Sequence, residues 1–337
     1  MEIRYKILIF IIAAGISSAS FIFFASEKKI VIGGSSTVAA KVPRTDREIS
    51  AKPESRKEAS IIFGGDVMRD RYVRQVGETK GYGYILEGIK DELIGSEAVV
   101  ANLEGPMTDN DSVSLGSEFG SRDNYIFTFS PETAGFLKEH NIRIVNIGNN
   151  HIDNFGQAGI VSTIESVENS GIEYFGDFRI RGSGNHMLKD FDGTRIAFVG
   201  YNQFVANSRE VALKDVGDAR GTADFVVVYA HWGKEYENGA REEEVLLAHE
   251  FVDKGADLVI GSHPHVIQNK EAYKGKMIYY SLGNFVFDQY FSEAVTQGLL
   301  VKAIFDKNRK GIRLEECRIR MLNSGRIVAD DSGSKCF

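Results

Sequence analysis

The sequence predicts an α/β domain over residues 60–325, built on a mixed sheet or on two stacked sheets. Three observations predict it. From residue 60 onward, short apolar and β-branched runs alternate with helix-length amphipathic stretches, the pattern of strands joined through helices. After Gln297 the run GLLVKAIFDKNRKGIRLEECRIRML reads instead as two antiparallel strands around a turn near Asn308–Gly311, so crossovers and hairpins coexist. A hydrophobic content of 43%, with 11% aromatic residues, supplies a sizeable core, and 35 glycines against 5 prolines suit tight strand-to-loop turns.

The elements follow in chain order. Residues 1–6 are a short flank carrying Arg4 and Lys6. Ile7–Ala25 is a run of 19 residues without a charge, about long enough as a helix to span the hydrocarbon core of a bilayer. Ser18-Ala19-Ser20 offers a signal-cleavage site, but Phe21–Phe24 carry the apolar run past it, which favours an uncleaved anchor over a signal peptide. Lys and Arg on both flanks leave the orientation open by charge; the preferred topology puts the C-terminal side outside the cell. Residues 26–59, with Pro43, Pro53 and alternating charges, read as a solvated tether of roughly 30–35 Å reach. Strands are expected at Ile61–Phe63, Ala98–Ala101, Ile142–Ile147, Arg195–Gly200, Phe225–Ala230, Leu258–Ile260 and Met277–Ser281. Helices are expected at Tyr84–Leu93, Pro131–Glu139, Gln157–Asn169 and Glu242–Lys254. Residues 326–337 read as a C-terminal tail.

Composition excludes some functions. Lys+Arg 40 against Asp+Glu 47 gives a net charge of −7 without a basic block, which argues against a general nucleic-acid binder. Two cysteines, Cys317 and Cys336, cannot form a thiolate zinc site; they can pair if the chain is exported.

Six apolar runs end in a burst of metal-ligand or catalytic residue types. They are IIFGGD (Asp66), VVANLE (Asn102, Glu104), IVNIGNNHIDNFG (Asn149, Asn150, His151, Asp153), VVVYAHWGKE (His231, Glu235), LVIGSHPH (His263, His265) and IYYSLGNF (Ser281, Asn284). In open α/β sheets, loops at the carboxyl ends of strands converge on ligands. Four of the seven histidines fall in these bursts. Singly, each has a plain structural explanation: Asp66 as a helix cap, the Asn149-Asn150 pair as a left-handed turn, His151 as a core histidine. Glu104 is harder to explain so, because a buried carboxylate needs a cation or several donors. His263 and His265 bracket Pro264, and in an extended loop both rings would face one centre. Together the bursts point to a metal centre. Carboxylate, amide and imidazole ligands without thiolate suit one or two divalent ions of Mn, Fe, Zn or Mg. A carboxylate such as Glu104 between imidazoles could bridge two ions, and paired ions clamp phosphoryl groups.

The motifs GGD, NLE, GNNHIDNFG, AHWGKE, GSHPHVIQ and SLGNFVFDQ resemble the CapA family of poly-γ-glutamate capsule synthesis proteins, which is related to the calcineurin-like metallophosphoesterases. The resemblance runs from Ser60 to Lys302. It implies a four-layer α-β-β-α sandwich of metallophosphoesterase type, behind the N-terminal membrane helix and tether, with the metal site at the strand ends. On this resemblance Asp66 and His265 would bind the first metal and His231 and His263 the second. Glu104 stands where a bridging aspartate is expected, Asn150 matches a ligand, and His151 would protonate a leaving oxygen. The wider superfamily commonly has D-x-H at the first motif; here Met68 replaces that histidine, and a thioether is a poor ligand for these ions.

The expected function is that of a membrane-anchored hydrolase or transferase in polymer synthesis, with His151, Asp153 and Glu235 as catalytic residues. The alternative is a non-catalytic accessory subunit whose inherited site binds the anionic polymer or a partner membrane protein. Asn102, Asn149, Ser281, Asn284, Asp288 and Gln289 are expected to orient ligands or meet substrate. Trp232 is either a substrate platform or a core aromatic, and Lys234 and Arg69 are either anion contacts or surface charges. The partners implied are the membrane, an anionic polymer and polymer-synthesis membrane proteins, and no nucleic acid.

Overall fold

The computed structural model describes residues 58–178, 186–330 and 336–337. The expected membrane segment 7–25 and all of the tether but Glu58 and Ala59 lie outside them. Among the described residues no helix is long and apolar enough to cross a membrane.

Among the described residues, fourteen strands appear in the chain order β1 (Glu58–Val67), β2 (Ala98–Leu103), β3 (Ile142–Asn146), β4 (Glu173–Phe175), β5 (His186–Phe191), β6 (Thr194–Asn202) and β7 (Phe225–His231). They continue with β8 (Leu258–Ser262), β9 (Lys270–Tyr273), β10 (Lys276–Tyr279), β11 (Asn284–Val286), β12 (Gln297–Asp306), β13 (Gly311–Met321) and β14 (Ile327–Ala329). The helices are α1 (Arg71–Lys80), α2 (Gly83–Leu86), α3 (Lys90–Ile94), α4 (Thr133–Glu139), α5 (Gly156–Asn169), α6 (Ser208–Arg220) and α7 (Glu242–Lys254).

Two sheets form, both mixed. The first runs β14-β13-β12-β1-β2-β3-β4, with β11 parallel to β1; the second runs β5-β6-β7-β8-β10-β9. The β12–β13 hairpin expected from the sequence pairs Gln297 with Arg320 through to Asp306 with Gly311. The stretch 326–337, read as a tail, carries β14 on the edge of the first sheet, and its Cys336 is bonded to Cys317 of β13.

Alternation of side chains along the strands builds the layers. Ile61 and Phe63 of β1, Val100 of β2, Phe198 of β6, Val227 and Tyr229 of β7 and Val301 of β12 form an apolar cluster between the sheets. Their neighbours Ile62, Val99 and Ala101 turn the other way, onto a cluster that includes Val73 of α1, Leu137 of α4 and Val167 of α5. On the second sheet, Val226 and Val228 pack outward against Ala212 and Val216 of α6 and Phe251 of α7. The layers are therefore helix, sheet, sheet, helix.

Two elements differ from expectation for identifiable reasons. The helix expected at Tyr84–Leu93 breaks into α2 and α3 around Gly88, which bridges Val328; a Cβ there would meet the Ile327 carbonyl at 2.3 Å. Strand β1 does not stop at Phe63 but continues through Gly64-Gly65 to Val67. That continuation requires glycine, because a Cβ on Gly65 would lie 1.8 Å from the Gly283 carbonyl oxygen. The close approach lets β11 pair alongside the end of β1.

The pairing registers then align two polar rows at the carboxyl ends of the parallel strands. In the first sheet Asp66 lies beside Asn102 and Asn284, and Asn102 beside Asn146. In the second, Asn202 lies beside His231 and His231 beside Ser262.

Candidate metal centre

Five of the expected ligands converge at these strand ends. Glu104 follows β2 directly, His231 closes β7, and His263 and His265 follow β8. Two groups of side chains have one ligand atom each, all within 4.8 Å of one another: Asp66, Glu104 and His265, and Glu104, His231 and His263. Glu104 belongs to both, as a bridging carboxylate must. Its Oε1 lies 3.6 Å from His265 Nε2 and 4.0 Å from His231 Nε2. Asn150, on the β3–α5 loop, brings its Oδ1 to 2.8 Å from His231 Nε2.

The two histidines around Pro264 reach the centre by an unexpected route. The loop is not extended: His263 has φ 96° and His265 φ 57°, both in the left-handed region. Such conformations cost of order 1–3 kcal/mol each for non-glycine residues, and they recur where a site demands a particular side-chain direction. The rings serve different groups, with centroids 6.0 Å apart.

Polar neighbours hold the ligands in place. Asp66 Oδ1 accepts from Asn102 Nδ2 (2.9 Å), and its Oδ2 accepts from the His263 amide (3.1 Å). The Asn102 oxygen in turn accepts from Asn146 and Asn149 at 3.0 and 3.1 Å. Ser262 Oγ lies 3.0 Å from His231 Nδ1, and Asn284 Oδ1 lies 3.0 Å from His265 Nδ1. Asn149 also accepts the His151 amide on its Oδ1 (3.1 Å), which orients the His151 loop.

Burial sets the protonation states. It works against ionisation of Asp66, but the imidazoles of His265 and His231 and the His263 amide outweigh it, so the carboxyl stays well below its usual range. Glu104 goes the other way: burial first, then the charge of Asp66, pushes it well above 4.5. Burial and neighbouring imidazoles push His263 down to about 3 and His151 to about 4, and carry His231 well below 6.5. At pH 7 these rings are neutral, the form that binds a cation.

The donor set fits a divalent ion. Both Glu104 carboxylate oxygens and His263 Nδ1 are buried without a hydrogen-bond partner. An orphaned buried carboxylate costs several kcal/mol, of order, unless a cation meets it.

His151 stands beside the ligands rather than among them. Its Nε2 is 4.0 Å from Glu104 Oε1, its Nδ1 is 3.3 Å from Asn154 Nδ2, and its ring packs on Phe127 at 4.4 Å. Glu235 is half-buried, and its charge helps to raise Glu104. Asp153 is exposed and its backbone carbonyl accepts the Gly156 amide, so it sits outside the buried cluster.

The bacterial capsule synthesis protein family PGA_cap matches residues 60–289. The chain belongs to this family. It is 31% identical over 267 residues to the capsule biosynthesis protein CapA of Bacillus anthracis, across 74% of this chain and 64% of that protein. It is 30% identical over 269 residues to the PGA biosynthesis protein CapA of Bacillus subtilis (strain 168), across 75% and 69%. The chain therefore spans about two thirds of the length of these curated relatives. Among solved structures it is similar to the NAD nucleotidase of Haemophilus influenzae, with TM-score 0.45 and 11% identity over 82% of this chain and 54% of that one.

The structure chooses among the alternatives left open for several other residues of this family member and departs from expectation at some. Trp232 is no substrate platform: it is buried, stacks on Phe251 and Tyr280, and donates to the Tyr280 carbonyl (2.9 Å). Arg69 is no anion contact, since it is buried between the rings of Tyr82 and Phe136, at 4.0 and 4.3 Å. Lys234 forms an exposed pair with Glu237 (3.1 Å). Ser281 accepts the Gly283 amide (3.1 Å) and shapes the turn before β11. Asp288 pairs with Arg71 and accepts the Tyr72 amide (2.9 Å) instead of orienting a ligand. Gln289 donates to Tyr236 Oη (3.2 Å) and accepts from Asn284 (3.1 Å), so it does support His265 through Asn284.

Arg71 was not legible as a site residue. Its guanidinium lies 5.1 Å from the Phe127 ring and 5.4 Å from the Phe287 ring, which respectively cover His151 and His265. Its backbone φ of 49° directs it there, and sequence carries no signal for that.

Met68 belongs to the helix-side apolar cluster, and its sulfur accepts the Asp70 amide at 3.0 Å. The D-x-H spacing does not bring Met68 beside Asp66, because Met68 lies one residue past the end of β1 and packs on the helix side. Met68→His is therefore expected to bury an imidazole among apolar groups. Stability should fall by about 1–3 kcal/mol with no gain in bound metal. Melting temperature and metal equivalents on one preparation check this; more metal at equal stability would return the position to the site.

Proposed function

We propose that this CapA-family chain is a metal-dependent hydrolase or transferase, anchored at the cell membrane by residues 7–25. It acts on a phosphoryl, ester or amide bond during synthesis, release or attachment of an anionic polymer of the poly-γ-glutamate type. The observation that carries this reading is Glu104, whose two oxygens are buried without a hydrogen-bond partner and whose Oε1 lies 3.6 and 4.0 Å from imidazole nitrogens of the two ligand groups.

In this reading Asp66 and His265 would hold one ion, His231, His263 and Asn150 would hold a second, and Glu104 would serve both. Bound Mn, Fe, Zn or Mg would polarise the scissile group and supply hydroxide at neutral pH. The chain's own residues do the rest. Asn102 and Asn284 fix the directions of Asp66 and His265. His151, neutral at pH 7, takes the proton that the attacking water gives up and passes it to the leaving oxygen. Glu235 and Asp153 serve at the margin of the site, Glu235 nearer the ligands. The Cys317–Cys336 bond, with Cα atoms 4.9 Å apart, supports a domain outside the cytoplasm, where disulfides persist.

A second reading, an accessory subunit that binds polymer or a membrane partner without turnover, draws on Met68 in place of the superfamily histidine. One experiment separates the two: elemental analysis of the purified full chain together with hydrolysis of bis(p-nitrophenyl) phosphate. About two equivalents of transition metal with metal-dependent turnover are expected. Metal without turnover on any phosphoryl, ester or amide probe would favour the accessory reading, and no metal would overturn the centre.

A further inference from the structure

A cavity of about 470 Å³ opens between the loop after β3, the end of β4 and the loop after β6, on the side of the metal centre that carries Asn150. It borders the site. Asn150 lines it and is the residue 2.8 Å from His231, and Phe204 lines it with a ring 4.7 Å from that of His263. The rest of its wall is mainly hydrocarbon: Ile147, Ile152, Ile160, Phe178 and Val205 join Phe204. No lysine or arginine lines it among the described residues, whereas Asp153 and Asp177 do.

We propose that this cavity holds the hydrocarbon part of the substrate, so that the group reacting at the metal centre is an ester or phosphoester of an apolar alcohol. The inference rests on the metal-centre reading above and adds the class of the group next to the reacting bond. Apolar surface buried beside a polar reacting centre is the ordinary construction of a small-molecule site, with hydrocarbon supplying affinity and a few polar groups supplying orientation.

The test is calorimetric and independent of turnover. The full chain, supplied with Mn(II), is titrated with inorganic phosphate and with ethyl-, butyl- and hexylphosphonate. Val205→Phe and Ile160→Phe, which fill the cavity, are titrated in parallel. Hexylphosphonate is expected to bind between about tenfold and a hundredfold more tightly than ethylphosphonate to the wild type. Both variants should lose that dependence on chain length while keeping their affinity for phosphate, which also certifies their folding. Equal affinity for ethyl- and hexylphosphonate in the wild type would overturn the proposal, as would a chain-length dependence that survives in both filled variants. Failure of phosphate and every phosphonate to bind would remove the metal-centre reading itself, and this inference with it.

Discussion

Replacing Glu104 by glutamine is expected to remove metal from both ligand groups at once and to raise the melting temperature of the chelated protein. The first effect follows from geometry, since Glu104 is the one side chain common to the two groups. The second follows from burial. Both carboxylate oxygens lack a hydrogen-bond partner, so the ionised form is uncompensated until a cation arrives. The sign with pH is fixed by the direction of the shift. Below the unfolded value of about 4.3 the carboxyl is neutral in both states and its contribution is intact. As pH rises through the raised folded value, the folded state must ionise a buried group and stability is lost. The glutamine variant has no such window. The histidines act oppositely: their folded values are depressed, so their contribution is present above about 6.5 and is lost as pH falls through the folded values. Comparing wild type and variant at each pH cancels that common term. At pH 8 the chelated variant should be more stable by about 1–3 kcal/mol, or roughly 2–4 °C for each kcal/mol. Adding metal should stabilise the wild type, more at pH 8 than at pH 5.5, and leave the variant unchanged. Differential scanning calorimetry with metal analysis checks this; a variant that retains full metal would take Glu104 out of the bridging role.

His151→Ala is expected to do the converse, leaving the metal in place and removing turnover. His151 belongs to neither ligand group, and its Nε2 lies 4.0 Å from Glu104 Oε1. Loss of a positioned proton-transfer group typically costs about 10²–10⁴-fold in rate. The lost packing on Phe127 should cost only about 1 kcal/mol of stability. His263→Ala is the companion: it deletes a ligand and should lower metal content more than His151→Ala. Metal equivalents and phosphodiester hydrolysis are measured on the same preparations of both variants. Equal metal loss would place His151 among the ligands.

Much of this protein was legible in its residues. Short apolar and β-branched runs identified β1, β2, β3, β6, β7 and β8, and helix-length amphipathic stretches identified α5 and α7, because these elements bury large apolar side chains. Elements with a weaker signature were missed. Helix α6 packs through Ala212, Val216 and Ala219, whose small side chains make little contrast with its polar face. Strand β11 spans only Asn284–Val286 and exists because Gly65 admits it against β1. The ligand types were likewise readable, since polar bursts at the ends of apolar runs are local features of the chain.

What the sequence determined by itself was therefore the family, the α/β class and the residues Asp66, Glu104, Asn150, His231, His263 and His265 as one constellation. The tertiary structure decided which side chains point inward, because that depends on register and backbone angles set by distant partners. Met68, one residue past the end of β1, packs into the apolar cluster, where spacing alone would have put it beside the aspartate. Left-handed backbone at His263 and His265 divides between two ligand groups a pair that an extended loop would have aimed at one centre. Packing against Phe251 and Tyr280 takes Trp232 into the core, and a positive φ at Arg71 brings a guanidinium to the rings over His151 and His265. Residue type is a property of the chain, but direction is a property of what the chain packs against.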